Sequence, residues 1–246
     1  MVINAKRFFA TFAVGALALS IAGSPALAQQ SKPAKAEPGT AQPEKKPDGE
    51  KKSDNQGKKG DKQAKGGVAI GAPAPQFTLT DIAGKQHTLA DLTKEGKIVV
   101  LQWFNPDCPF VVKHYENAKT FNEFNAKYQE KGVVLLAVNS SAPGLQGSGK
   151  DRNAKAKKDW NITYPILLDE SGEIGRAYGA KNTPAMYVIA KDGTLAYKGA
   201  IDDEPGAGKV GKTNYVAKAV DELLANTNVT TTETRPYGCS VKYKDQ

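Results

Sequence analysis

Few residues in this 246-residue sequence could do chemistry beyond ordinary acid–base exchange. It holds two cysteines, Cys108 and Cys239, and two histidines, His87 and His114. These are scattered along the chain and form no metal-ligand spacing, so neither a metal nor any other cofactor is expected. Gly144-Leu145-Gln146-Gly147-Ser148-Gly149-Lys150 has the spacing of a phosphate-binding loop. Asp151 stands where the hydroxyl that holds Mg²⁺ belongs, however, and its charge opposes phosphate, so nucleotide binding is not expected. What remains is thiol chemistry.

Cys108 lies in Trp103-Phe104-Asn105-Pro106-Asp107-Cys108-Pro109-Phe110, directly after a continuous apolar run and before a helical pattern. The carboxyl end of a central strand is where open sheets carry their sites. Pro109 suits a first helical position, since its missing N–H would be an orphan there anyway. The positive end of the helix dipole and its unpaired amides favour a thiolate, whereas an ionised Asp107 works against one. Lys113 and His114 follow five and six residues later. On an ideal helix neither lies over Cys108, while Val111 and Val112 do, so no Cys–His dyad is expected within this helix. His114 reads as a surface histidine and His87 as a hairpin residue without a visible partner. Two cysteines in an oxidising compartment readily form a disulfide, but a domain of this size needs no staple to fold.

The elements that must position Cys108 can be read from periodicity. Phe77–Thr80 alternates, and Asp81-Ile82-Ala83-Gly84-Lys85 turns the chain towards His87-Thr88-Leu89. Ile98–Phe104 is a run apolar but for Gln102, as in a strand covered on both faces. Val111, Tyr115, Ala118, Phe121, Phe124 and Tyr128 make one helical stripe that Gly132 ends. Val133–Val138 is a second buried strand, 151–160 a Lys-rich helix, Ile166–Leu168 a strand and Glu173–Tyr178 a helix. Ala185–Ala190 and Thr194–Gly199 form a hairpin about Asp192-Gly193, and Tyr215–Leu224 is a last helix. Alternation closed by a hairpin and a helix predicts an α/β fold, a central mixed sheet flanked by helices.

The ends are of another kind. Lys6 and Arg7, the apolar run 8–21 and Ala26-Leu27-Ala28 read as a signal peptide over residues 1–28, cleaved near Ala28. That places the mature chain in the periplasm or outside the cell. No later stretch is apolar enough to span a membrane. Residues 29–67 hold no aromatic and no large aliphatic side chain and are expected to be a disordered Lys/Pro/Glu-rich linker. Of the formal charge of +8, the signal carries +2, the linker +4 and the remainder only +2. The nearly neutral folded part is no nucleic-acid binder. A domain at 68–225 and a C-terminal tail at 226–246 carrying Cys239 complete the division.

Several stretches besides the cysteine junction are informative together: Pro109-Phe110-Val111 with Lys113-His114, Ala137-Val138-Asn139-Ser140, Leu168-Asp169-Glu170, Ala177-Tyr178-Gly179, Thr183-Pro184, Tyr197-Lys198-Gly199-Ala200-Ile201-Asp202-Asp203 and Tyr237-Gly238-Cys239-Ser240-Val241-Lys242. From about Ile70 to Tyr243 the chain resembles the thioredoxin-like redoxins of the alkyl hydroperoxide reductase and thiol-specific antioxidant family, in its exported, peroxiredoxin-like branch. The resemblance implies a thioredoxin-like fold with an N-terminal hairpin extension and a C-terminal tail. It makes Cys108 the reactive thiol in surroundings that include Pro109, Phe110 and Trp103, and it makes Thr183 and a cis-Pro184 the wall of a substrate groove. It further implies an antioxidant or thiol-exchange activity on a peroxide or a protein disulfide or thiol, with a reductase as partner.

The departures are specific. Val111 stands where a dithiol motif has its second cysteine. Asn105 stands where peroxiredoxins have a threonine or serine, and the arginines of the domain are Arg152, Arg176 and Arg235. Asn182 replaces a cysteine that some relatives carry before the cis-proline. Cys239 is then open to three readings. It could resolve an oxidised Cys108 through an intramolecular disulfide. It could clamp the tail in a permanent disulfide of a non-catalytic binding or structural module, contributing about 4–5 kcal/mol by loop closure. Or the two thiols could be unpaired. The first is preferred, because a clamp has no need of a helix start beside a cis-proline.

Overall fold

The computed structural model describes residues 67–244. The expected signal peptide and, apart from Gly67, the expected linker lie outside the described residues. No helix among the described residues is long and apolar enough to cross a membrane.

The chain runs β1 (Thr78–Asp81), β2 (Gln86–Thr88), α1 (Leu89–Lys94), β3 (Ile98–Trp103), α2 (Pro109–Glu116), α3 (Thr120–Tyr128), β4 (Val133–Asn139), α4 (Lys150–Asp159), β5 (Ile166–Leu168), α5 (Glu173–Tyr178), β6 (Asn182–Thr183), β7 (Met186–Ile189), β8 (Leu195–Gly199), α6 (Tyr215–Leu224) and β9 (Cys239–Ser240). Seven strands form one mixed sheet in the order β2-β1-β5-β4-β3-β7-β8, and β6 pairs with β9 in a separate ladder. β3 is central, parallel to β4 and antiparallel to β7. All six of its residues are buried, which is why its sequence does not alternate; the one polar residue, Gln102, accepts from the Tyr115 hydroxyl at 2.9 Å.

The pleat sends successive β3 side chains to opposite faces. Ile98, Val100 and Phe104 join the core layer of α2, α3 and α6, where Cys108 also sits. Val99, Leu101 and Trp103 join the layer on the other face with Leu89 of α1 and Tyr178 of α5. Every one of these side chains is at most 1% exposed. Each therefore contributes on the order of 1.5–3 kcal/mol of burial free energy before entropy is charged against it.

The structure adds the short strands β6 and β9 to the sequence reading, and two helical regions differ from it. The stripe expected as one helix is two, α2 and α3, broken at Asn117-Ala118-Lys119. Asn117 turns its amide to the Gly208 carbonyl (3.0 Å), and the Ala118 N–H closes back on Lys113 O (3.1 Å). Both helices keep the same face on the sheet, so the apolar period runs through the break. α1 was not expected because only Leu89 of its six residues is buried, leaving no periodicity to read.

The tail is strapped to the domain along its length. Thr232 and Thr234 pair with Lys198 at the β8 edge. A side chain on Gly199 would collide with Thr234, so glycine permits that close approach. The chain then crosses to β6, where β9 pairs antiparallel with Thr183 opposite Cys239. At Tyr243 it enters the core, where the hydroxyl donates to Ala180 O (2.8 Å).

Candidate functional site

Cys108 is the N-cap of α2, with extended backbone (φ −89°, ψ 119°) and Pro109 following at the first helical position. Its carbonyl accepts the Val111 and Val112 amides at 2.8 and 2.9 Å, which starts the helix. The sulfur makes no capping hydrogen bond to that helix. Any help from the helix start therefore comes from its dipole rather than from a donated N–H.

The preceding loop is braced by the very glycine-rich segment that mimics a phosphate loop. Asn105 donates to Gln146 O (3.0 Å) and accepts from the Asp107 N–H (2.9 Å). Gln146 in turn donates to Asp107 O at 3.1 Å. At Gly147 (φ +76°) a side chain would collide with the Asn105 amide. Asn105, in the place of the peroxiredoxin threonine, is thus a loop brace. Arg152 pairs with Asp107 (2.6 Å) and donates to Pro106 O, so the charge beside Cys108 is partly neutralised.

Thr183–Pro184 is a cis peptide. It brings Thr183 O within 3.1 Å of Cys108 Sγ. Cys239 faces the same point: no disulfide joins the two cysteines, and their sulfurs lie 2.7 Å apart. Cys108 is 0% exposed, whereas Cys239 is half-buried. Burial pushes the Cys239 thiol up to about 12, reinforced by the hydrogen bond to Cys108 and by the nearby Cys108 charge, against a weaker pull from Lys242. Cys239 therefore keeps its proton at neutral pH. The Thr183 hydroxyl is buried without a partner.

Of the residues expected around the thiol, Pro109, Phe110, Thr183, Pro184 and Cys239 are brought together and Trp103 is not. Strand alternation points Trp103 to the other face, where Nε1 donates to Ser140 Oγ (3.1 Å) and the ring packs on Tyr178 and Tyr187. Ser140 in turn donates to Asp169 (2.6 Å), which accepts the Gly175 amide at the start of α5. Those motif residues hold the frame rather than the sulfur.

Both histidine expectations are corrected. His87 pairs with Asp81 at 2.8 Å. His114 is 0% exposed, with Nδ1 3.2 Å from Thr120 Oγ1 and Nε2 3.1 Å from the Tyr237 hydroxyl. Tyr237 donates its proton to Asp202 Oδ1 (2.6 Å). Nε2 must then donate to the phenol oxygen, and Nδ1 accepts from Thr120. Lys113 is 1% exposed, donates to Glu204 O (2.7 Å) and Gly206 O (2.8 Å) and lies 4.5 Å over the Tyr237 ring. The sequence argument placed these side chains off Cys108 correctly. It missed that they face the tail, for only the Lys113-His114 pair and the distant Tyr237 marked them. No group of metal-ligating side chains occurs among the described residues.

Known proteins carry the same frame. The chain is 34% identical over 129 residues to thiol-disulfide oxidoreductase ResA of Geobacillus thermodenitrificans, covering 52% of this chain and 67% of that one. It is 32% identical to ResA of Bacillus thuringiensis over the same length, 68% of that protein. Among solved structures, a hypothetical protein from Sinorhizobium meliloti superposes with a TM-score of 0.66 at 29% identity, over 73% of this chain and 97% of that one. An uncharacterised conserved protein from Geobacillus kaustophilus gives 0.65 at 28%, over 72% and 94%. The fold is thioredoxin-like, as the sequence implied. Residues 70–198, from the first turn through Cys108 and the cis-proline to β8, match the AhpC/TSA family, and the chain belongs to it.

Proposed function

We propose that the protein is an exported thiol oxidoreductase in which Cys108 reacts and Cys239 resolves. The observation that carries this is the Cys108–Cys239 pair, two free sulfurs 2.7 Å apart beside a helix start and the Thr183–Pro184 cis peptide. The ResA proteins are named as thiol-disulfide oxidoreductases, which supports exchange with thiols and disulfides over a purely structural role. In the proposed cycle the Cys108 thiolate attacks a disulfide, expelling one thiolate and forming a mixed disulfide. A peroxide would instead leave a sulfenic acid and hydroxide. Cys239 loses its proton as it attacks Cys108 sulfur, releasing the second thiol or water and closing the Cys108–Cys239 disulfide. An external reductase returns two electrons and reopens it. Pro109 and the α2 dipole favour the attacking thiolate, and Thr183 and Pro184 wall the groove. The signal peptide serves export to the periplasm or the cell exterior.

The test is oxidation with glutathione disulfide or hydrogen peroxide, then peptide mapping. Wild type should form the Cys108–Cys239 disulfide and return to two thiols with dithiothreitol under native conditions. C239S should stop at the mixed disulfide or sulfenic acid on Cys108. A second reading, a permanent clamp, is favoured by one observation: Cys108 is fully covered and the tail is tied down on both sides of Cys239. A disulfide that resists millimolar dithiothreitol until the protein unfolds would establish the clamp and sink the enzyme.

A further inference from the structure

Cys108 is 0% exposed and its sulfur lies against Cys239 of the tail, so what fastens the tail beside Cys239 bears on access. On the C-terminal side of Cys239 the fastening is part of the core: the Val241 N–H donates to Lys181 O (3.0 Å), and Val241 and Tyr243 are 2% and 5% exposed. On the N-terminal side Thr232 and Thr234 are held at the β8 edge, and between them and Cys239 the side-chain anchor is Tyr237. Tyr237 gives its hydroxyl proton to Asp202, accepts from His114 Nε2 and lies beneath the Lys113 ammonium. That seat is built by α2 and the 202–211 loop without the tail. Asp202 also takes the Glu204 and Gly211 amides (3.2 and 2.7 Å), and Lys113 is held by two carbonyls of the same loop.

Between Tyr237 and Cys239 lies Gly238 (φ +108°), where a side chain would collide with Thr183 O. The backbone can therefore run flush against β6, and Asn182 donates to Gly238 O at 3.3 Å. A cavity of about 600 Å³ flanks this same stretch, lined by Thr234, Arg235, Pro236, Tyr237 and Gly238 against Asp202 and Asp203. The Tyr237 side of the strap has space to lift into and a polar seat to leave, whereas on the other side of Cys239 Val241 and Tyr243 are buried in the core.

We propose that Tyr237 is the latch of the tail: a positioning residue that, seated on Asp202 and His114, holds Cys239 over Cys108 and, unseated, opens Cys108 to an external thiol or disulfide. The inference rests on the thiol chemistry proposed above and adds what controls the choice between the internal partner and an outside one. The latch acts in opposite directions on the two reactions. It raises the effective concentration of Cys239 at Cys108, and it blocks any other sulfur from the same place.

The test uses Y237F, which keeps the ring and removes the hydroxyl. The first measurement is the equilibrium of the purified protein with glutathione, in which protein dithiol and glutathione disulfide give protein disulfide and two glutathione thiols. Y237F should favour the protein disulfide about 10-fold less than wild type, the effect of one hydrogen bond to a charged group. The second is the rate of glutathione disulfide attack by Cys108 in a C239S background, where adding Y237F should raise the rate about 10-fold. A merely structural role would move neither quantity, or lower both, and either result overturns the latch. D202N, which keeps a hydrogen-bonding amide in the carboxylate's place, should shift both quantities the same way by less; it carries the test if Y237F does not fold. Should wild type form no Cys108–Cys239 disulfide, the proposed function fails, while the rates in the C239S background still decide the latch.

Discussion

His114 should make the domain acid-labile in a window of its own. The side chain is 0% exposed on α2, against Thr120 from α3 and Tyr237 from the tail, with Asp202 and Lys113 as the nearest charges. Burial holds its pKa down to about 4 from the usual 6.5; Asp202 pulls upward and Lys113 downward. The folded pKa lies below the unfolded one, so on acidification the unfolded chain takes up the proton first. The stability contribution is complete above pH 6.5 and is lost as pH falls towards 4. Integrating the linkage between pH 7 and pH 5 gives a loss of about 2 kcal/mol, or roughly 4–8 °C in Tm for a domain of this size. Carboxylates held below their ordinary range, such as Asp81 and Asp192, act below about pH 4.5 and do not share this interval. The assay is urea unfolding of the reduced protein at pH 7 and 5, followed by tryptophan fluorescence, for wild type and H114Q. His87 is present in both, so the difference in slope belongs to His114. Equal losses in the two proteins would refute the argument, as would a His114 imidazole NMR signal that titrates near pH 6.5.

Two further substitutions test the frame around Cys108. G147A places a side chain on the Asn105 amide at φ +76° and should cost about 2–3 kcal/mol while slowing Cys108 alkylation; a loss under about 0.5 kcal/mol in urea unfolding would contradict the brace. S140A strips Trp103 Nε1 of its acceptor and Asp169 of a donor, for an expected loss of about 1–3 kcal/mol with little change in the Cys108–Cys239 equilibrium with glutathione.

Much of the frame was legible in the chain. A buried strand such as β3 is apolar at all positions but Gln102 because water is excluded from both faces. The junction at Cys108 could be read because a proline after an apolar run both ends a strand and suits a first helical turn. The polar run before Cys239 let the tail be expected to reach Cys108, because its length suffices to cross the domain surface. Trp103 was misplaced among the surroundings of the thiol although neighbouring in sequence, for in a strand adjacent side chains leave on opposite faces. The break between α2 and α3 was invisible because two helices that keep one face on the sheet share one apolar period.

The sequence by itself determined the thioredoxin-like order of elements, the seat of Cys108 at a strand–helix junction and the absence of a second thiol one turn on, all local or periodic properties. Only the tertiary structure decided that Thr183 faces Cys239 across a two-residue ladder, that the glycine-rich loop braces Asn105, and that Lys113, His114 and Asp202 converge on Tyr237. These last contacts join residues 35 to 124 positions apart. No local pattern encodes such a separation. It is settled by which surfaces the packed sheet and its strap bring together.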